Sequence, residues 1–380
     1  MSNSSQTKVL MAGVVPPPIH GQSLATKALF EANLAPIRKI LIPINSSQSL
    51  DKVGKLSLTK ISGLLVIILK TWVSWIRERP PILYYTAGSG AWVPFFRDVL
   101  FLGLCRPLFK RTLIHFHSGD LNDFLQKSSF RTWLGRQIYG RGAWTLRLGP
   151  NCPAPIYPTN RVLEIPNGIA SPLSPSKKIA SPNLRILFLG NLFESKGVID
   201  LLQGVRLFAE NEHRNILLSL VGGWADSSSR QRIEMHIANL PANVNCPSPR
   251  PMHGEEKWNA LANHDVLVFP SYYERENLPL VVIEAMAASL PTIASNWRGI
   301  PSLIEDGENG LLVPTSNPSA IATALHQFFA EPDLAASMGK RARKKFEEQF
   351  TLDHFLANMK QILQAASADI HAHSESTQQP

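Results

Sequence analysis

The sequence predicts an α/β protein built as two doubly wound domains, each a parallel sheet covered by helices on both faces. Three observations carry this. Short apolar runs of strand length alternate with helical runs along the chain, the pattern of a sheet wound on both sides. The alternation stops once, at a Ser- and Pro-rich stretch, and then restarts. Finally, 380 residues exceed one ordinary core, and a hydrophobic content of 44% is ample for two.

In the first half the apolar strands fall near Val9 to Ala12, Ile40 to Ile44, Ile82 to Thr86, Thr112 to His117 and Thr145 to Leu148. Between Asn167 and Asn183 the chain reads Ser-Pro-Leu-Ser-Pro-Ser-Lys-Lys-Ile-Ala-Ser-Pro, which cannot form regular structure. Strands follow at Leu184 to Gly190, Ile216 to Val221, near Val244, Val266 to Phe269, Thr292 to Ala294 and Gly310 to Val313. A Lys- and Arg-rich helix from Leu334 to Gln349 and another from Leu352 to about Ala365 close the pattern. The expected organisation is an N-terminal domain at 1–170, a linker at 171–183, a C-terminal domain at 184–350, a C-terminal helix at 351–366 and a polar, disordered tail at 367–380.

Charge is unevenly shared. Residues 1–170 hold 20 Lys and Arg against 7 Asp and Glu, and residues 171–380 hold 18 against 22, so the overall +9 belongs to the first half. No nucleic-acid-reading motif accompanies it, so nucleic acid is not an expected partner. The basic residues are interleaved with apolar and aromatic ones, as in Leu64-Leu-Val-Ile-Ile-Leu-Lys70-Thr-Trp72-Val-Ser-Trp75-Ile-Arg77 and Trp92-Val-Pro-Phe-Phe-Arg97. Two readings stand: interfacial helices on an anionic membrane surface, or core helices whose Lys and Arg are solvated. Neither stretch approaches the roughly 20 apolar residues a transmembrane helix needs. Three cysteines with no CxxC spacing argue against a disulfide framework or a zinc site and for a reducing compartment. The polar opening Met-Ser-Asn-Ser-Ser-Gln-Thr-Lys lacks signal-peptide architecture. The expected location is cytoplasmic, peripheral at the inner membrane face.

The segment richest in chemistry is Pro270-Ser-Tyr-Tyr-Glu-Arg-Glu276-Asn-Leu-Pro-Leu-Val-Val-Ile-Glu284-Ala-Met-Ala. Asp265-Val-Leu-Val-Phe-Pro reads as a buried parallel strand, 272–277 as the loop at its carboxyl end, and Pro279 as the start of a helix. Glu276 then lies just before the helix and Glu284 about a turn and a half inside it. Free N–H groups at such a start suit a phosphate, whereas carboxylates suit hydroxyl groups. The alternative is that Glu276 caps the helix and Glu284 solvates its outer face. Upstream, the strand ending at Gly190 leads through Asn191-Leu-Phe-Glu-Ser-Lys196-Gly197 into a helical run, which presents Lys196 at a strand-to-helix turn as a point charge for phosphate.

Together with Asn167-Gly168, Val221-Gly-Gly and Asp306-Gly-Glu-Asn-Gly310, these motifs resemble the family 4 retaining glycosyltransferases of glycosyl transferases group 1, whose fold is GT-B: two Rossmann-like domains facing across a cleft. The resemblance runs from Val9 to about Leu363. It implies that Glu276 contacts the hydroxyls of a donor sugar and Glu284 the ribose of its nucleotide, with the backbone of Asn277 and Leu278 near sugar and phosphate. It implies that Lys196 neutralises the diphosphate, and it puts Asn191 where the family carries an arginine, with Arg275 and Arg298 as candidate substitutes. Gly21, in the first loop Gly13-Val-Val-Pro-Pro-Pro-Ile-His20-Gly21, would let the backbone approach the reacting phosphate, and His117 matches a histidine that hydrogen-bonds the donor sugar. His115 lies on the same strand face as His117 and reads as a buried, satisfied core histidine.

The implied reaction is transfer of a hexose, with retention, from a UDP- or GDP-linked sugar to a glycan or lipid-linked acceptor in cell-surface polysaccharide or glycolipid synthesis, without a metal or other cofactor. The catalytic groups would be His117, Lys196 and Glu276. Asn191 keeps open a second class, a catalytically silent GT-B protein serving as a partner or regulatory subunit.

Overall fold

The computed structural model describes residues 6–17, 20–44, 58–153, 155–172, 183–210 and 212–376. Most of the linker expected at 171–183 lies outside them. The chain forms two compact units, 1–168 with 352–380, and 169–351.

In the first unit, β1 (Lys8–Gly13), β2 (Arg38–Pro43), β3 (Ile82–Thr86), β4 (Arg111–His115), β5 (Trp144–Arg147) and β6 (Arg161–Glu164) make a parallel sheet in the order β2-β1-β3-β4-β5-β6. The helices are α1 (Gly21–Glu31), α2 (Leu58–Glu78), α3 (Trp92–Cys105), α4 (Leu121–Gln126) and α5 (Ser129–Tyr139). The period-two alternation of strand side chains divides the unit into two cores. From β1 and β3, Leu10, Ala12, Leu83 and Tyr85 enter one core with α2 to α5, while Val9, Met11, Ile82 and Tyr84 enter the other with α1. Because both faces are covered, these strands are apolar between the end residues Lys8 and Thr86, which is why they are legible as continuous runs. β6 escaped the sequence reading because it is an edge strand of mixed polarity, Arg-Val-Leu-Glu, with Val162 exposed.

The first core also encloses a carboxyl group. Asp98 is fully buried and accepts from Tyr85 Oη at 2.7 Å, Tyr139 Oη at 2.8 Å and Gly88 N at 2.7 Å, with Arg97 Nη2 at 2.7 Å. A buried carboxylate persists when its lone pairs are taken up in this way.

In the second unit, β7 (Leu184–Leu189), β8 (Ile216–Val221), β9 (Val244–Asn245), β10 (Val266–Phe269), β11 (Thr292–Ser295) and β12 (Leu311–Val313) form a parallel sheet ordered β12-β11-β10-β7-β8-β9. Its helices are α6 (Val198–Ala209), α7 (Ser227–Ala238), α8 (Gly254–Asn263), α9 (Leu280–Ala287), α10 (Pro318–Ala330) and α11 (Pro332–Gln349). The strand order reverses between β7 and β10, which pair directly with Ile186 opposite Val266. A crevice at the carboxyl ends of two such strands is where open α/β sheets bind ligands.

The last helix, α12 (Leu352–Ser376), belongs to the first unit, where Phe355, Met359, Leu363, Ala366 and Ile370 join the core of α1. This corrects the tail reading: residues 367–376, expected to be disordered, are helical. Polar composition hid the anchors, which are Ile370 at core spacing after Leu363 and Ala366, the ion pair of Asp369 with Arg111, and Ser367 Oγ 2.9 Å from Thr7 Oγ1. Deleting 367–380 should therefore lower the stability of the first unit by about 2 kcal/mol, the burial of one Ile side chain. An unchanged urea midpoint would instead show a tail that contributes nothing.

Candidate functional site

Two loops of the second unit leave the reversal point side by side. After β7 the chain passes Gly190 and Asn191, makes a single turn at Glu194–Lys196, and enters α6 through Gly197. After β10 it runs from Pro270 to Pro279 and enters α9. Tyr272 N donates to Ser195 O at 2.9 Å, and the rings of Phe193 and Tyr273 lie 5.4 Å apart. Gly197 has φ +76°, and a Cβ there would stand 2.2 Å from Pro270 O, so only glycine fits both the backbone and the space.

That approach brings Lys196 and Glu276 together. Lys196 Nζ lies 2.6 Å from Glu276 Oε2, which also accepts from Ser271 Oγ at 2.9 Å. The ammonium sits 4.8 Å from the centre of the Tyr273 ring. Trp297 Nε1 donates to Tyr273 O at 3.0 Å and holds this loop from the β11 side. Glu276, Asn277 and Leu278 are all buried, and Asn277 Oδ1 is buried without a hydrogen-bond partner in the chain. Such an orphaned acceptor is unusual in a folded protein and marks a place where a ligand can donate.

Glu284 lies in α9, buried, with Oε1 2.6 Å from Lys257 Nζ on α8. Burial pushes its carboxyl above the usual range, and the charge and hydrogen bond of Lys257 pull it back. The alternative of a helix cap and a solvated face is therefore overturned. The N-cap of α9 is Pro279, with no side-chain cap bond, and both carboxylates are buried against cations. Lys257 and Ser271 were missed in the sequence. Ser271 stood inside the motif, but Lys257 lies 27 positions from Glu284 on another helix and carries no local signal. Asn191 is exposed at the end of β7, and of the candidate substitutes for its missing charge, Arg275 is exposed and Arg298 half-buried beside the Trp297 ring.

In the first unit, His20 is the N-cap of α1. Its Nδ1 accepts from Ser23 N at 3.3 Å while its own N–H donates to Ser23 Oγ at 3.0 Å, and Gly21 is the first helical residue. β4 ends at His115, whose Nδ1 bonds Tyr84 Oη at 2.8 Å. His117 follows in the loop, its ring 4.1 Å from that of His115, and both of its ring nitrogens are buried without a partner in the chain. Burial drives the His115 imidazole down to about 3 and that of His117 well below its ordinary value, with charge on His115 or His20 acting in the same direction. At neutral pH His117 is thus an uncharged imidazole able to donate at one nitrogen and accept at the other.

Residues 172–345, most of the second unit, match the family model described as Glycosyl transferases group 1. The second unit is thus similar to the group 1 glycosyltransferases. It is 31% identical over 191 residues to the D-inositol 3-phosphate glycosyltransferase of Streptomyces bingchenggensis, covering 49% of this chain and 40% of that protein. It is 26% identical over 174 residues to the capsular polysaccharide biosynthesis glycosyltransferase CapM of Staphylococcus aureus, covering 46% and 44%. The chain thus spans less than half the length of these curated relatives. A crystal structure of HepE from Anabaena in complex with UDP matches with a TM-score of 0.66 at 14% identity, over 94% of this chain and 100% of that one. That likeness shows the fold, which is GT-B.

Two outcomes follow for these buried groups. Replacing Lys257 with Met leaves the Glu284 carboxylate buried without its cation, which should cost about 2–3 kcal/mol at pH 7 given its partial exposure. Because the folded chain holds the Glu284 proton more tightly than the unfolded chain, this loss should shrink as pH falls through the carboxyl range. A pH-independent loss in urea unfolding would contradict the assignment. His115 has the opposite sign. The unfolded chain takes up its proton near 6.5 and the folded chain only near 3, so stability falls as pH drops between those values. His115→Gln should flatten that slope by about 1.4 kcal/mol per pH unit, read as unfolding midpoints at pH 7, 6 and 5.

Proposed function

We propose that the protein is a retaining glycosyltransferase of the family 4 type, which moves a hexose from a UDP- or GDP-linked donor to a glycan or lipid-linked acceptor in cell-surface polysaccharide or glycolipid synthesis. The observation that carries this reading is the Lys196–Glu276 pair, 2.6 Å apart at the point where the strand order reverses. A cation and a carboxylate placed there match the two ends of a nucleotide sugar, the anionic diphosphate and the hydroxyl-bearing ring. The UDP held by HepE and the polysaccharide role in the name of CapM support the donor and the pathway class.

In this reading the acceptor hydroxyl oxygen bonds to the anomeric carbon as the bond from that carbon to the β-phosphate oxygen breaks, and the hydroxyl proton passes to the departing diphosphate. Negative charge grows on the β-phosphate, where Lys196 and the free amides at the start of α9 stabilise it. Glu276 accepts from the sugar hydroxyls, Glu284 from the ribose hydroxyls, and Asn277 Oδ1 takes a further donor. The protein itself supplies the positive charge, so no metal ion is called for.

The test is a panel of UDP- and GDP-sugars incubated with the purified protein and read by mass spectrometry, beside thermal shifts with UDP and GDP. Glu276→Ala should lower turnover by about 100-fold or more, and Glu284→Gln should raise the donor KM with a smaller change in kcat. Undiminished transfer by Glu276→Ala would overturn the site. No response to any nucleotide would favour the silent partner protein that Asn191 suggests.

A further inference from the structure

The first unit carries a surface that the transferase reading does not use. Of the 17 large apolar side chains that are exposed among the described residues, 12 lie on α2, α3 and α5, which cover the same face of the first sheet. α2 is the extreme case. Leu64, Ile68 and Thr71 are buried at helical spacing, yet Leu65 is 56% exposed, Leu69 64% and Ile76 58%, with Trp72 between them. These four fall at successive steps of four, three and four residues, so they form one stripe on the outward side of the helix. A helix apolar on all sides belongs in a protein interior or in lipid, and here one side has no protein cover. On the neighbouring helices Trp92 and Trp133 are 55% exposed, and Arg131 stacks 4.4 Å over the Trp92 ring.

The charge around this surface is predominantly positive. Residues 58–141 contain twelve Lys and Arg and four Asp and Glu. Two of the acids, Asp98 and Asp120, are buried, and Glu78 is engaged by Lys8 and Arg38. Lys70 and Arg77 are exposed on α2, and Arg79, just beyond it, stacks 4.1 Å over Trp75. We propose that the outward side of α2, continued by α3 and α5, is a docking surface for an anionic lipid bilayer. The inference is independent of the donor site.

Two features decide the occupant. A second copy meeting this face about a two-fold axis would oppose Lys70 and Arg77 to themselves, with Glu78 already paired. A nucleic acid would satisfy the basic groups but leave Leu65, Leu69 and Ile76 in water. An anionic bilayer satisfies both sets, with apolar side chains in the acyl boundary, Trp72 and Trp133 at the interface, and Lys and Arg at the headgroups. The helix lies on the bilayer and does not cross it, because its other side is committed to the sheet and no described helix is long and apolar enough to span.

The test is flotation of the full chain with vesicles of phosphatidylcholine alone or mixed with phosphatidylglycerol. The protein should float with the anionic vesicles, less so as salt rises, and stay behind with the neutral ones. Lys70→Ser with Arg77→Ser should weaken partitioning by roughly 25-fold, about fivefold for each basic group. Leu65→Asp with Leu69→Asp and Ile76→Asp should abolish it while leaving the thermal midpoint unchanged, since these side chains face outward. Recovery of the wild-type chain in the soluble fraction with anionic vesicles would overturn the proposal, as would equal flotation with neutral ones or flotation of the Asp variant. A concentration-dependent dimer lost on Leu69→Asp would overturn it too, assigning the face to a second copy.

Discussion

The second unit's site depends on one steric constraint, the contact of Gly197 with the carbonyl of Pro270. A parallel sheet brings the ends of β7 and β10 about one strand spacing apart, but it does not decide how closely the following loops approach. The left-handed backbone at Gly197, open to the Pro270 oxygen, lets the two loops touch. Once they touch, Tyr272 N reaches Ser195 O, Lys196 is drawn across Tyr273, and its ammonium meets Glu276. Each of these contacts would be lost if the loops parted by the width of a methyl group.

Much of the fold was legible in the sequence because both faces of each sheet are covered. Apart from the two-residue β9, the strands of the second unit read as largely apolar runs, and β7 and β10 are bounded by Gly190 and Pro270, residues that punctuate chains. Where cover is incomplete, legibility fails. The edge strand β6 holds only two apolar residues between Arg161 and Glu164, and the end of α12 attaches through one Ile, one ion pair and one hydrogen bond in a polar background. Periodicity over a few residues cannot distinguish such an element from a loop or a tail.

The site divides along the same line. Glu276, Glu284 and Lys196 stood in contiguous motifs, so the sequence was enough to single them out. Their partners arise from the tertiary fold: Lys257 reaches Glu284 from α8, and Tyr84 reaches His115 from the neighbouring strand. In the sequence Lys196 and Glu276 stand in separate motifs suited to separate parts of a ligand, and in the fold they are bonded to each other. The unsatisfied Asn277 Oδ1 and ring of His117 could not have been found by any sequence pattern, because orphanhood is a property of the packed chain.

The Lys196–Glu276 pair has a consequence for selectivity. An anion that draws Lys196 away leaves a buried carboxylate without its cation, which is an expensive state. Ser271 Oγ offsets only part of that loss, since it occupies a single lone pair of Oε2. A ligand that brings hydroxyl donors to Glu276 while its anion takes Lys196 replaces both halves of the broken pair at once. The site is thereby a two-key lock. On the proposed reading, inorganic phosphate or a bare sugar would turn one key at a penalty, and a molecule carrying both anion and hydroxyls would replace both halves of the pair.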